Sequence, residues 1–183
     1  MRIISGKFKG KKLFIPKDKK TRPLKDITKE SIFNLIIHSK KINFDFSNTY
    51  ILDLFAGSGS FGLECLSRGS GHVTFVEKEK SLYRNILKNI SHLGYENSIQ
   101  ASCSDAFKWM QTNHKKFDFI FLDPPFDLVD YKNLIRTIYQ NNMINKGGKV
   151  FIETSKHTEL ELSNTQDILK DKIIGDVRLI ILQ

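Results

Sequence analysis

From Tyr50 onward, short apolar runs alternate with amphipathic stretches, and that alternation leaves few folds open. Tyr50-Ile-Leu-Asp-Leu54 reads as a strand, followed by a Gly-rich turn and a helix over about 60–68. His72-Val-Thr-Phe-Val-Glu77 is a second strand, with a helix over about 79–92. Residues 98–102 form a weaker third strand, with a helix over about 105–114. Phe117-Asp-Phe-Ile-Phe-Leu122 is the fourth, followed by a helix over about 131–141. Gly147-Gly148 turns into a fifth, Lys149-Val-Phe-Ile-Glu153, with a helix expected near 157–170. Val177-Arg-Leu-Ile-Ile-Leu182 is a closing strand. Strands regularly separated by helices predict an α/β fold, a parallel sheet with helices on both faces.

Ahead of this pattern, residues 26–38 read as a helix. Asp26 or Thr28 can serve as its N-cap, and Ile32, Phe33, Leu35 and Ile36 give it an apolar face. Residues 39–49 read as a polar linker. A chain of 183 residues with 40% hydrophobic content fits one domain with a small extension. No run approaches the roughly 18 apolar residues that span a bilayer, and residues 1–10 lack the apolar stretch of a signal peptide. Cys65 and Cys103 share neither disulfide nor zinc spacing. They read as reduced thiols of a cytoplasmic protein, and the scattered histidines give no metal-ligand pattern.

Charge is distributed unevenly. Residues 1–25 hold ten Lys/Arg and a single acid, Asp18, so the whole formal net charge of +9 resides there. The rest of the chain is balanced. Either this is a solvated arm, or Lys7, Lys9, Lys11, Lys12 and Arg22 form a phosphate-binding surface. Gly6, Phe8, Gly10 and Phe14 interleave with the lysines, and Ile3-Ile4 and Leu13-Phe14-Ile15 predict a hairpin presenting lysines outward. The expected division is a basic extension over 1–25 and a main domain over 26–183.

In open α/β sheets, ligands bind beyond the carboxyl ends of the strands. Four strands here end in an acid or an acid-containing turn: Asp53, Glu77, Asp105 and Asp123. The turn after Asp53 contains Gly57, Gly59 and Gly62 in G-x-G-x-x-G spacing, with Glu77 twenty residues beyond Gly57. That pattern matches the dinucleotide fingerprint, and an NAD-linked oxidoreductase is a competing reading. Asp53, at the mouth of the turn, would repel a pyrophosphate. It suits a cationic nucleoside carrying an ammonium group and no phosphate, such as S-adenosylmethionine (SAM). Glu77 would then accept from the ribose hydroxyls and Asp105 from the adenine N6 amine.

Beyond the fourth strand stands Asp123-Pro124-Pro125-Phe126. The carboxylate and the Pro124 carbonyl can each accept from an exocyclic NH2. Pro125 pushes its predecessor into an extended conformation. Phe126 either stacks on a planar ring or faces the core as a turn aromatic. The residues fit chemistry on a nucleobase amine and suit guanine, adenine or cytosine alike.

Asp53-x-x-x-Gly57-x-Gly59, Glu77, Asp105 and Asp123-Pro-Pro-Phe126, in that order, resemble the class I SAM-dependent amino-methyltransferases. Further strings narrow the resemblance: Leu52 to Gly69 (LDLFAGSGSFGLECLSRG), Arg2 to Leu13 (RIISGKFKGKKL), Arg22-Pro23, Glu30-Ser-Ile-Phe-Asn34 and Gly175-Asp-Val-Arg178. Together these are similar to the bacterial 16S ribosomal RNA guanine-N2 methyltransferase family over nearly the whole chain. Lys29 stands where that family usually has Arg, as a weaker bidentate phosphate ligand, and Cys65 where Ala is usual.

The resemblance implies a Rossmann-like, mostly parallel seven-stranded sheet with a small basic N-terminal β extension. It implies methyl transfer from SAM to the N2 amine of one guanine. The substrate would be 16S rRNA, a small ribosomal subunit or an assembly intermediate. From the sequence itself, with no exposed apolar helix face standing out, a cytoplasmic monomer without metal is expected. The alternatives left by the residues themselves are an adenine-N6 or cytosine-N4 methyltransferase on DNA or another nucleobase, the oxidoreductase above, and a non-catalytic RNA-binding module.

Overall fold

A computed structural model of the chain describes residues 1–15, 26–42, 44–95, 98–125, 130–158, 160 and 167–183. Seven strands form one sheet: β1 (Tyr50–Asp53), β2 (His72–Glu77), β3 (Ile99–Cys103), β4 (Phe117–Leu122), β5 (Ile144–Ser155), β6 (Ile168–Ile174) and β7 (Val177–Leu182). Their spatial order is β3-β2-β1-β4-β5-β7-β6. The first five pair in parallel. β7 runs antiparallel to both β5 and β6, which it separates. The chain order reverses between β1 and β4, so the crevice beyond those two strands is the switch point where such sheets bind ligands.

Among the described residues, five helices cover the sheet: α1 (Asp26–His38), α2 (Ser60–Ser67), α3 (Lys80–Leu93), α4 (Ala106–Thr112) and α5 (Tyr131–Gln140). Alternate strand residues feed two cores, as the two-residue period of a strand requires. Ile51, Phe75, Phe119, Phe121 and Phe151 pack with α1, α2 and α3. Leu52, Val76, Ile120, Leu122 and Ile152 pack with α4 and α5 on the other face. Phe61 of α2 stacks on Phe121 with ring centroids 3.8 Å apart, fixing α2 over the centre of the sheet.

Four expectations need correction. Residues 168–174 are strand β6, where a helix was expected to continue to 170; residues 159 and 161–166 of that stretch lie outside the described set. The sequence Ile-Leu-Lys-Asp-Lys-Ile-Ile has no helical apolar stripe, and pairing with β7 decides its state. β5 begins at Ile144 and carries Gly147-Gly148 inside it as an irregularity, with Gly147 at φ 78°. The stretch 39–49 is not a solvated linker: Ile42 and Phe46 are buried, and Phe44 packs on Phe119. Thr28 lies within α1 and so is not its cap.

Residues 1–15 share the core of the main domain. Ile3, Phe8 and Leu13 are buried in it. Arg2 bridges to Lys12 antiparallel, and Ile3 N–H donates to the Lys11 carbonyl (2.9 Å), closing the predicted hairpin. Lys7, Lys9, Lys11 and Lys12 are exposed on it. The hairpin is fastened to α2. Glu64, fully buried, accepts from the Ile4 and Ser5 N–H groups (2.8 and 2.9 Å) and from Arg68 Nε (2.9 Å). Lys29 Nζ lies 3.5 Å from Glu64 and donates to the Arg2 carbonyl at 2.7 Å. Lys29 is fully buried and so has no access to a phosphate, contrary to its reading as a phosphate ligand. Gly6, at φ 78°, lies so close to the Ser67 carbonyl that a Cβ there would fall 1.8 Å from its oxygen.

Candidate active site

The sheet order sets four carboxylates side by side. Asp105 follows β3, Glu77 ends β2, Asp53 ends β1 and Asp123 follows β4, and these strands are consecutive neighbours. Strands about 4.8 Å apart place the four over about 15 Å of one sheet edge. Chain order and spatial order differ, so this adjacency comes from the fold.

Three of the four acids, Asp53, Glu77 and Asp105, are fixed by backbone amides. Asp53, only 1% exposed, accepts from Gly62 N–H within α2 (3.1 Å). Burial pushes its carboxyl up to about 7, and the Asp123 and Glu77 charges add to that rise against the Gly62 hydrogen bond. Glu77 is held at both oxygens: Gly57 N–H donates to Oε2 (2.7 Å) and Glu79 N–H to Oε1 (2.8 Å). Burial is again the main cause of its raised pKa. Asp105 caps α4, with Oδ1 accepting from Phe107 and Lys108 N–H (3.0 and 3.2 Å). Asp123, immediately beyond β4, is partly exposed, and burial of its carboxyl pushes it to about 7. Pro124 is buried beside it. Phe126 and Arg22 lie outside the described residues.

The three glycines of the turn do different work. Gly57 (φ 53°) and Gly59 (φ 76°) take left-handed backbone that other residues avoid. A Cβ at Gly57 would meet nothing closer than 4.0 Å, so this backbone stays open to a ligand. Gly62 is needed for packing instead, since a Cβ there would lie 2.4 Å from the Phe75 ring. Sequence reasoning saw Gly62 as part of the spacing and missed its N–H as the donor to Asp53. Glu64, Lys29 and Asn89, which fasten the hairpin, were also missed. Only Asn89 left a signal, as a polar residue on the apolar face of α3.

Chemically, the edge suits a cation. The Gly57 N–H, which in a dinucleotide site would be available to a phosphate, is taken by Glu77, and three carboxylates converge nearby. A pyrophosphate is excluded by like charge, whereas a sulfonium or ammonium group is favoured. An acidic switch-point crevice in a sheet of this order, with Asp-Pro-Pro beyond β4, defines a class I methyltransferase.

Comparison with known proteins narrows the class. The family model described as conserved hypothetical protein 95 matches residues 1–183. Ribosomal RNA small subunit methyltransferase D of Haemophilus influenzae is 34% identical over 97% of this chain and 90% of its own length. The Bacillus subtilis protein YlbH is 36% identical over 87% of this chain and 85% of its own. The solved structure of Escherichia coli yhhF, 26% identical, superposes with a TM-score of 0.86 over 100% of this chain and 97% of that one. The chain belongs to this family, that of ribosomal RNA small subunit methyltransferase D.

Proposed function

We propose that the protein transfers a methyl group from SAM to the exocyclic N2 amine of a guanine in small-subunit rRNA, acting as a monomer on the RNA or on a ribosomal particle. The side-by-side placement of Asp105, Glu77, Asp53 and Asp123 carries this reading. Along that edge Asp105 would receive the adenine amine, Glu77 the ribose hydroxyls and Asp53 the cationic amino acid tail. Both Glu77 oxygens already hold an amide N–H, and a carboxylate oxygen has a second lone pair for a hydroxyl. The open backbone at Gly57 would lie against the cofactor. SAM supplies an electrophilic methyl on a positively charged sulfur.

The protein's task is to make a poor nucleophile react, because the guanine amine shares its lone pair with the ring. Asp123 and the Pro124 carbonyl would each accept a hydrogen bond from the NH2, turning the lone pair toward the methyl and stabilising positive charge developing on nitrogen. An N–C bond forms as the S–C bond breaks, and the amine proton passes to Asp123 or to water. Alignment of nitrogen, methyl and sulfur supplies much of the rate. Phe126 would stack on the base, which must be unpaired or extruded to reach the site. Lys7, Lys9, Lys11, Lys12 and Arg22 would hold the RNA backbone.

No helix among the described residues is long and apolar enough to cross a membrane. The test is a tritiated-methyl assay on small-subunit particles from cells lacking the gene, with the product nucleoside identified by mass spectrometry. N2-methylguanosine is expected. N6-methyladenosine or N4-methylcytidine would reassign the base, and no transfer would overturn the reading.

A further inference from the structure

We propose that α3 carries a second phosphate-binding track, in which Lys80, Arg84, Lys88 and His92 take the sugar-phosphate backbone of the RNA substrate alongside the hairpin. This rests on the reading that the substrate is RNA. The four residues recur at every fourth position and form one stripe on the helix. Successive members are about 6 Å apart along the axis, a spacing comparable with that of neighbouring phosphates on a nucleic-acid strand. All four are exposed. The opposite face, with Leu82, Ile86, Ile90 and Leu93, is buried against the sheet.

Lys80–Leu93 contains no acid. Like charges four residues apart destabilise a helix, and no carboxylate on α3 offsets them. Yet residues 26–183 are balanced overall, so the fold gathers positive charge here without any excess in composition.

The stripe abuts the hairpin through Phe14. The Lys88 ammonium lies 3.8 Å from the Phe14 ring centroid, and the His92 ring meets the same ring edge-on at 5.2 Å. Fully buried Asn89 holds the junction: its Oδ1 accepts from Phe14 N–H (2.8 Å), and its Nδ2 donates to the Phe14 carbonyl (3.1 Å). Asn85 Nδ2 donates to the same carbonyl (3.0 Å). Just past the end of α3, Lys7 lies over the Tyr95 ring at 5.1 Å. Hairpin and helix therefore present one continuous basic surface, with Phe14 38% exposed at the seam. Interleaved cations and an accessible aromatic suit a nucleic-acid strand better than an acidic protein surface.

The experiment measures binding of protein-free 16S rRNA and of small-subunit particles across a salt series. It compares the parent, a Lys80→Ala/Arg84→Ala/Lys88→Ala variant and a Lys7→Ala/Lys9→Ala/Lys11→Ala/Lys12→Ala variant. Removing one side chain that neutralises a phosphate lowers the slope of log affinity against log salt by about 0.7–0.9. The α3 variant is expected to lower it by about 2, with the melting temperature and SAM affinity of the parent. A parental slope in the α3 variant alongside a lowered slope in the hairpin variant overturns the track and leaves the rRNA reading intact. Loss of particle binding with unchanged binding to protein-free rRNA would assign the stripe to a ribosomal protein and overturn it too. Failure of the parent to bind or methylate rRNA at all overturns both readings.

Discussion

Asp53 and Asp123 are carboxyls whose proton affinity the fold changes most clearly, from 3.8 to about 7. In the unfolded chain both ionise near the lower value, so between about pH 4 and about pH 7 the folded state binds more protons. Their contribution to stability is full below about pH 4 and is lost as pH rises through about 7. The melting temperature of the ligand-free protein is therefore expected to carry a downward contribution between about pH 4 and about pH 7 that levels off above that. Asp53→Asn keeps an acceptor for Gly62 N–H and should flatten that fall, raising the melting temperature at about pH 8 by a few degrees. Identical profiles for parent and variant in scanning calorimetry would count against this. The same variant should bind SAM about tenfold more weakly, since it lacks the charge proposed to meet the cationic tail. A bound cation favours ionised carboxylates, so SAM binding near pH 7 should release protons and tighten as pH rises. Titration calorimetry in two buffers of different ionisation heat reads the proton count. Asp123→Ala should lower methyl transfer by about 10²–10⁴-fold, with SAM affinity little changed; full turnover in the variant would remove Asp123 from the mechanism.

At the scale of elements, α2 joins two tasks. Its first turn follows Gly59 at the cofactor loop, and its last turn carries Glu64 and Ser67, with Arg68 capping it, beneath the hairpin. Glu64→Ala would remove the buried carboxylate shared by Lys29, Arg68 and the Ile4 and Ser5 amides, at a cost of about 3–5 kcal/mol, visible as a lower urea midpoint. Gly6→Ala forces strained backbone and a clash with the Ser67 carbonyl while leaving the buried charges intact. Its expected effect is weaker RNA binding with parental SAM affinity, read by anisotropy. These attachments were not legible in the sequence. Lys29 and Glu64 are far apart in the chain, and no local period marks them as partners. The strands β1 to β4 and helices α2 to α5 were legible, because each shows its own period over its own length. β6 was not: Ile168 and Ile173 are exposed on an edge strand, and its state depends on β7.

For the whole molecule, an acidic crevice and a basic surface predict opposite responses to salt. Added salt should raise the KM for rRNA particles steeply while leaving turnover at saturation nearly unchanged; a parallel fall in kcat would place the salt-sensitive step in the chemistry. The acids of the crevice were legible because each sits at a strand end beside a recognisable turn. Their order along the edge was not, since it follows from β1 lying between β2 and β4. The same is true of β7, which follows β5 and β6 in the chain yet lies between them in the sheet, with Leu179 to Leu182 buried. While the chain is being synthesised, β6 emerges with no neighbour to pair with, and the Val150–Ile152 flank of β5 stays open. An unpaired apolar edge invites association with other chains. β7, made after both of its neighbours, must therefore insert between β5 and β6 before this side of the sheet closes, and until it does the apolar flank of β5 is open to other chains.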